Sequence, residues 1–280
     1  MIFLTSKIKI MNKVILITGA SSGMGKETAF KLIKEGYKVY PVARRIENMK
    51  DLEKLGAFPI QMDVTNEAEI QNVVDIIIQK EGKIDVLWNN AGYALYGSVE
   101  ETPITEARRQ FEVNLFGLAS LTQKVIPHMR KSKKGLIINT SSVGGRIYAP
   151  LGAWYHATKH AVEGWSDCLR LELKPFNIDV VILQPGAIAT ELGEIGKNPL
   201  VAISGNGPYK KLTNDIVQLT EKFYSRSDHS SVIAEAISKI IHAKNPKTRY
   251  KVGKLSSTSI FLRNYMGDKL FDKIVMSQLK

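Results

Sequence analysis

Short runs that are apolar at nearly every position alternate along this chain with longer segments whose apolar residues recur at helical spacing. Val14–Thr18, Lys38–Val42, Ala57–Met62, Ile84–Trp88, Gly135–Thr140, Ile178–Leu183 and a last run around Arg249–Val252 read as strands. A strand with one wet face alternates apolar and polar residues. One that is apolar throughout is buried on both faces, which calls for helices above and below a mostly parallel sheet. Those helices are visible. Ala29, Leu32 and Ile33 share a face of Thr28–Glu35 before Gly36 stops it, and Ile70, Val73, Val74 and Ile77 repeat at helical spacing before Gly82. A long stretch follows Pro103, read as a first-turn residue, towards Met129, with a bend expected at Pro127. Tyr155–Leu173, Tyr209–Tyr224 and Val232–Ala243 complete the set. Repeated β-α units predict an α/β, doubly wound three-layer sandwich with about seven strands.

The 280 residues carry no linker-like tract, so one domain is expected over 1–280. Residues 1–11 read as an N-terminal extension. Glycines 193, 196, 205 and 207 break the pattern within 190–231, which follows a strand's carboxyl end and is a candidate substrate lid. The tail, 253–280, can be drawn as a basic amphipathic helix, a packing or oligomer segment in preference to a membrane anchor. No apolar run approaches the roughly 20 residues of a membrane span, and integral membrane association is not expected. Against 27 acidic side chains stand 39 basic ones, a net charge of +12, but scattered, with only short groups such as Lys131, Lys133 and Lys134. Solvated helix faces explain that better than nucleic-acid binding. The single cysteine, Cys168, excludes an intrachain disulfide; in an apolar-periodic stretch it reads as a buried thiol, and the chain as cytoplasmic.

Between the first strand and its helix runs Thr18-Gly19-Ala20-Ser21-Ser22-Gly23-Met24-Gly25. A dinucleotide pyrophosphate needs backbone approach without side-chain bulk and a helix N-terminus whose free N–H groups meet negative charge; glycines at 19, 23 and 25 supply both. Where NAD-preferring sites place an acid at the end of the second strand, this chain has Ala43-Arg44-Arg45. A guanidinium stacks on adenine and pairs with a 2′-phosphate, which favours NADP(H); Arg45 is equally readable as a solvated loop residue. Asp63, beside Val64, is placed to accept from the adenine amino group or to cap a turn in Asp63-Val64-Thr65.

Tyr155 and Lys159, spaced i, i+4, share one helix face, and a phenol beside an ammonium is easier to deprotonate. Ser141-Ser142 closes the preceding strand thirteen positions before Tyr155, and Gly144-Gly145 turns the chain back. With Asn89-Asn90-Ala91-Gly92, Asn114 and Pro185-Gly186 followed by Thr190, these motifs coincide in one order, and over roughly Lys13 to Val252 the chain resembles the short-chain dehydrogenase/reductase family in its compact single-domain, Rossmann-type branch.

The resemblance implies Tyr155 as general acid/base, Ser142 (chosen over Ser141 by family spacing) as hydrogen-bond partner of the substrate oxygen, and Lys159 as the group that lowers the tyrosine pKa and holds the nicotinamide ribose. It implies Asn114 as holder of a relay water, a residue that by itself reads equally as helix packing. Cofactor contacts implied are Gly19, Ser21, Ser22, Gly23, Met24, Gly25, Arg44, Arg45, Asp63, Val64, Asn90, Ala91, Gly92, Tyr155, Lys159, Pro185, Gly186, Ile188 and Thr190. Tyr93, Tyr96 and Tyr148, with Leu95, Val143, Trp154 and the stretch Leu192–Leu200, are candidate lining of an apolar substrate pocket. His128, His156, His160, His229 and His242 show no metal-like spacing, and no metal is expected. The reading is an NADP(H)-dependent oxidoreductase that interconverts a carbonyl and an alcohol on a hydrophobic small molecule, working as a homodimer or homotetramer paired through its long helices. The rival is a non-catalytic protein that senses NADP(H).

Overall fold

The computed structural model describes residues 12–189, 192–225, 227–254 and 256–279; the proposed N-terminal extension and Thr190 lie outside them. Seven strands, β1 (Val14–Thr18), β2 (Lys38–Ala43), β3 (Ile60–Gln61), β4 (Val86–Asn89), β5 (Gly135–Thr140), β6 (Ile178–Pro185) and β7 (Arg249–Val252), form one parallel sheet in the order 3-2-1-4-5-6-7. The helices that matter here are α1 (Gly23–Lys34), α2 (Glu67–Glu81), α3 (Ile104–Phe111), α4 (Gly117–Lys131), α5 (Ala153–Leu173), α6 (Leu192–Ser204), α7 (Lys210–Tyr224), α8 (Ser231–His242), α9 (Ser256–Tyr265) and α10 (Asp268–Ser277).

Side chains alternate across a strand, so each buried strand feeds two cores. Ile15 and Ile17 of β1, Trp88 of β4, Ile138 of β5 and Leu183 of β6 pack with Ala29 and Leu32 of α1 and the isoleucines of α8. Their neighbours Val14, Leu16, Leu87, Ile137 and Val180 pack on the other face with Ile70, Val73 and Ile77 of α2, Leu121 and Val125 of α4, and Leu169 of α5. Cross-strand polar bonds set the register near the site: Asn89 Nδ2 donates to Asn139 Oδ1 at 2.8 Å and to Thr122 Oγ1 at 2.9 Å, and Trp88 Nε1 donates to Thr140 Oγ1 at 2.9 Å.

Several local expectations are corrected. The third strand is only Ile60–Gln61, shorter than the apolar run suggested. Pro127 lies inside α4, a π turn over Glu112–Phe116 that carries Asn114 interrupts the long helix earlier, and Pro103 caps the helix instead of opening its first turn. Cys168 is exposed, because the buried stripe of α5 runs through Val162, Ser166, Leu169 and Leu173 and leaves Cys168 about 100° off it. The glycine-broken stretch after β6 carries an unexpected helix, α6, while α7 falls where the helix Tyr209–Tyr224 was expected. Among the described residues no helix is long and apolar enough to cross a membrane.

Leu87 is fully buried in the central strand, whereas Asn66 caps α2 from the surface by accepting from Ala68 N and Glu69 N. In urea unfolding Leu87→Ala is expected to cost about 2–5 kcal/mol and Asn66→Ala about 1 kcal/mol. Equal losses would contradict this placement of the core.

Candidate active site

In a parallel sheet every strand ends on the same edge, and here the ends of β1, β4, β5 and β6 bring the motifs together. The glycine turn after β1 is braced from β4. Thr18 Oγ1 accepts from the amides of Asn90 and Ala91, both at 2.9 Å, and Asn90 Nδ2 donates back to the carbonyls of Thr18 and Gly19. Gly19 sits at φ +69°, and a Cβ there would stand 2.8 Å from Ala91 Cα; a Cβ on Gly25 would run into the Gly19 carbonyl. These two glycines are therefore required by backbone approach. Ser22 opens α1 without a side-chain cap bond, and no acidic residue lies in the first turn, so the helix N-terminus faces outward ready for an anion.

Around this cradle the cofactor contacts sort unevenly. Arg44 is exposed at the end of β2, while Arg45 Nη2 reaches back to Ser22 Oγ at 3.3 Å, so the arginine nearer the turn is Arg45. Asp63 Oδ1 accepts from the amide and hydroxyl of Thr65, the turn-capping alternative. A cavity of about 970 Å³ runs from Met24, Asn90 and Gly92 to Ser142, Tyr155, Lys159, Pro185, Gly186 and Ile188. Asn90 Oδ1 is buried in it without a hydrogen-bond partner. The glycine cradle, the open helix N-terminus and this orphaned acceptor fit a dinucleotide.

At the other end of the cavity, Ser142 Oγ takes the Gly144 amide at 3.0 Å and stands beside Tyr155, where it favours the phenolate. Burial pushes the Tyr155 phenol above its ordinary value, and Ser142 pulls it back. Lys159, also buried, is lowered to about 8 by desolvation, with Glu163 one turn along α5 opposing the shift. Its Nζ donates to the Thr140 carbonyl at 2.9 Å. Asn114 is pinned by the π turn against the β4 loop: Oδ1 accepts from Tyr93 N at 3.0 Å, and Nδ2 donates to the Tyr93 carbonyl and Thr158 Oγ1. Both amide protons are engaged; one Oδ1 lone pair is left. A Cβ on Gly92 would stand 3.0 Å from that oxygen and 3.6 Å from Lys159 Nζ, which explains the glycine.

The pocket wall is partly as expected. Tyr93, Tyr96, Val143 and Leu200 line the cavity, and the Tyr96 ring lies 5.7 Å from that of Tyr155. Tyr148 does not line it: its hydroxyl donates to Asp272 at 2.8 Å and its ring packs on Phe271, so it anchors the tail. Leu95 and Trp154 are also absent from the wall. Ile216, Phe223 and Tyr224 of α7 and Ser259 of α9 replace them. The helical spacing of Ile216, Leu219 and Phe223 was available in the sequence as a signal; Ser259 had none.

A family description, short chain dehydrogenase, matches residues 13–198. The 3-ketodihydrosphingosine reductase of Bacteroides thetaiotaomicron is 38% identical over 244 residues, 87% of this chain and 88% of that one. The NADPH-dependent 3-dehydrocapnine reductase of Ornithobacterium rhinotracheale is 34% identical over 95% of this chain and 96% of its own. A short-chain dehydrogenase from Streptomyces avermitilis superposes with a TM-score of 0.80 at 33% identity, covering 94% of this chain and 95% of that one. The chain belongs to the short-chain dehydrogenase family.

Proposed function

We propose that this protein is an NADP(H)-dependent oxidoreductase that interconverts a ketone and a secondary alcohol on a hydrophobic small molecule, with the 3-ketodihydrosphingosine named for one relative as the substrate to test first. The observation that carries the reading is one cavity that runs from Met24 at the glycine turn, past Asn90 and Gly92, to Ser142, Tyr155 and Lys159, with a wall of mostly apolar side chains beyond them. The nicotinamide, when bound, supplies or accepts the hydride.

This chain's residues do the rest. Gly19, Gly23 and Gly25 with the N-terminus of α1 take the pyrophosphate, and Arg44 with Arg45 takes the 2′-phosphate. Ser142 Oγ and Tyr155 Oη hold the substrate oxygen and stabilise charge as it develops there, and Tyr155 delivers the proton in the reducing direction. Lys159 holds ribose hydroxyls and places positive charge beneath Tyr155. Asn114 keeps Gly92 and Tyr93 in place under it, and its remaining Oδ1 lone pair is where a relay water would bind.

The segment from α6 to α7 serves as substrate lid within a single domain, supported by Leu200 and Ile216 in the cavity wall. Exposed Ile104, Phe116 and Leu171 on the long helices support a homodimer or homotetramer through that face. With one cysteine, the chain needs no oxidising compartment, in keeping with a cytoplasmic site of action.

Tyr155→Phe is expected to lower kcat for NADPH-driven reduction of 3-ketodihydrosphingosine by about 10²–10⁴-fold while the NADPH Kd stays unchanged. Retained turnover would remove Tyr155 from the proton step, and a sensing role would then gain. Wild-type protein should bind NADPH more tightly than NADH. Arg44→Ala with Arg45→Ala should cut that preference roughly 10- to 100-fold, as loss of charge-assisted hydrogen bonds implies. Equal affinities in the wild type would overturn the cofactor assignment.

A further inference from the structure

We propose that His156 is a positioning residue for the reaction: it spans the two ends of the loop that follows Ser142 and holds that serine and the pocket wall in register with Tyr155. The proposal rests on Ser142 and Tyr155 forming the proton-handling pair.

The loop from Val143 to Gly152 needs such a pin. After a single 3₁₀ turn at Val143–Gly145 it has no helix or strand until α5 begins. Gly144 and Gly145 contribute no side chains, and Leu151 sits in the left-handed region at φ +59°. Yet the loop supplies Val143, Ile147 and Pro150 to the cavity beside Ser142. His156 reaches it from the first turn of α5, next to Tyr155. Its Nδ1 lies 2.8 Å from the Gly144 carbonyl, and the Ala149 amide donates to its Nε2 at 3.1 Å.

Those partners fix the ring's chemistry. A backbone amide can only donate and a carbonyl can only accept, so Nε2 is the acceptor and Nδ1 carries the proton. The ring is therefore neutral and one tautomer. It is also tightly enclosed. A Cβ on Gly144 would stand 3.0 Å from Nδ1, and one on Gly152 would stand 2.8 Å from Cδ2. Glycine at both positions lets the ring lie flat against the loop. The Tyr155 ring centroid is 5.8 Å away, so the imidazole touches the tyrosine on one side and the serine's turn on the other.

Protonation would put an N–H on Nε2 against the Ala149 amide, donor against donor, and release that end of the loop. Burial lowers the His156 pKa, and His160, one turn along α5, opposes its protonation too, while the Gly144 and Ile147 backbone contacts raise it. The Tyr155 phenol, pushed upward, stays neutral beside it. With the folded pKa below the unfolded value, the unfolded chain binds the extra proton first as pH falls below about 6.5. Stability is thus full above that pH and declines below it, while the loop of the folded protein stays ordered until the lower folded pKa is reached.

The tautomer can be read directly in the wild-type protein by nitrogen-15 NMR of the histidine ring. An Nδ1–H neutral ring that persists at pH 6 is expected; an Nε2–H ring, or titration at the free-histidine value, would overturn the bridge. Kinetics test its consequence. His156→Ala should lower kcat by about 10- to 100-fold, the scale of a small misplacement of reacting groups, with NADPH Kd unchanged. His156→Asn, which keeps a donor for Gly144, should recover part of that loss. In His156→Gln, which cannot ionise, the acid limb of the wild-type kcat profile should vanish. Full kcat in His156→Ala, or an acid limb unchanged in His156→Gln, would reduce the residue to ordinary packing. These outcomes are separable from the reaction reading, which stands or falls on Tyr155→Phe.

Discussion

Everything in this protein hangs on the pairing of β1 with β4 and of β4 with β5 in one parallel register. Because parallel strands start and stop in the same sense, that register delivers the glycine turn, the Asn90-Ala91-Gly92 loop and the Ser141-Ser142 turn to a single edge. The contact that makes the delivery exact to within a side chain is backbone on backbone: Gly19 against Ala91, held by Thr18 Oγ1 and the Asn90 side chain. A methyl group at either Gly19 or Gly25 would force these strands' ends apart and open the cradle. The cost of burying both sheet faces is met by two cores, and the buried Asn89–Asn139 and Trp88–Thr140 bonds keep β4 and β5 from slipping past each other.

The same edge explains why acid/base groups with opposite tendencies meet there. Burial raises the Tyr155 phenol and lowers the Lys159 ammonium, bringing two groups that ordinarily titrate near 10 under the influence of one low-dielectric pocket. Ser142 pulls the phenol back downward, and Glu163 opposes the shift of the lysine from the next turn of the same helix. The Glu163 carboxylate is itself held by Gln184 of β6 and Arg249 of β7, so the last strand of the sheet bears on the charge of the site. The catalytic helix is thus tied to two neighbouring strands of the sheet.

Much of this was legible in the amino-acid order because the signals are local. Runs apolar at every position mark doubly buried strands, and Gly82 ends α2 in the left-handed conformation that its position suggested. The motif residues Ser142, Tyr155 and Lys159 converge in the cavity because strand end and helix start are close in sequence. What escaped was set by tertiary partners. Tyr148 looks like pocket lining until the tail arrives to take its hydroxyl, and Cys168 looks buried until the phase of α5 is known. Asn114 depends on a π turn that no composition rule marks, and His156 acquires meaning only when the loop folds back over it. Helix α6 was obscured by Gly193 and Gly196, which tolerate a helix without favouring one.

The most direct test of the account follows the hydride itself. Protein supplied with NADPH deuterated at nicotinamide C4 and with 3-ketodihydrosphingosine should yield an alcohol carrying one deuterium on the former carbonyl carbon, read by mass spectrometry. That result would tie cofactor, cavity and chemistry together in one bond. Tight NADPH binding with no deuterium transferred to this or any other hydrophobic ketone would contradict the account and leave a nucleotide-binding protein in its place.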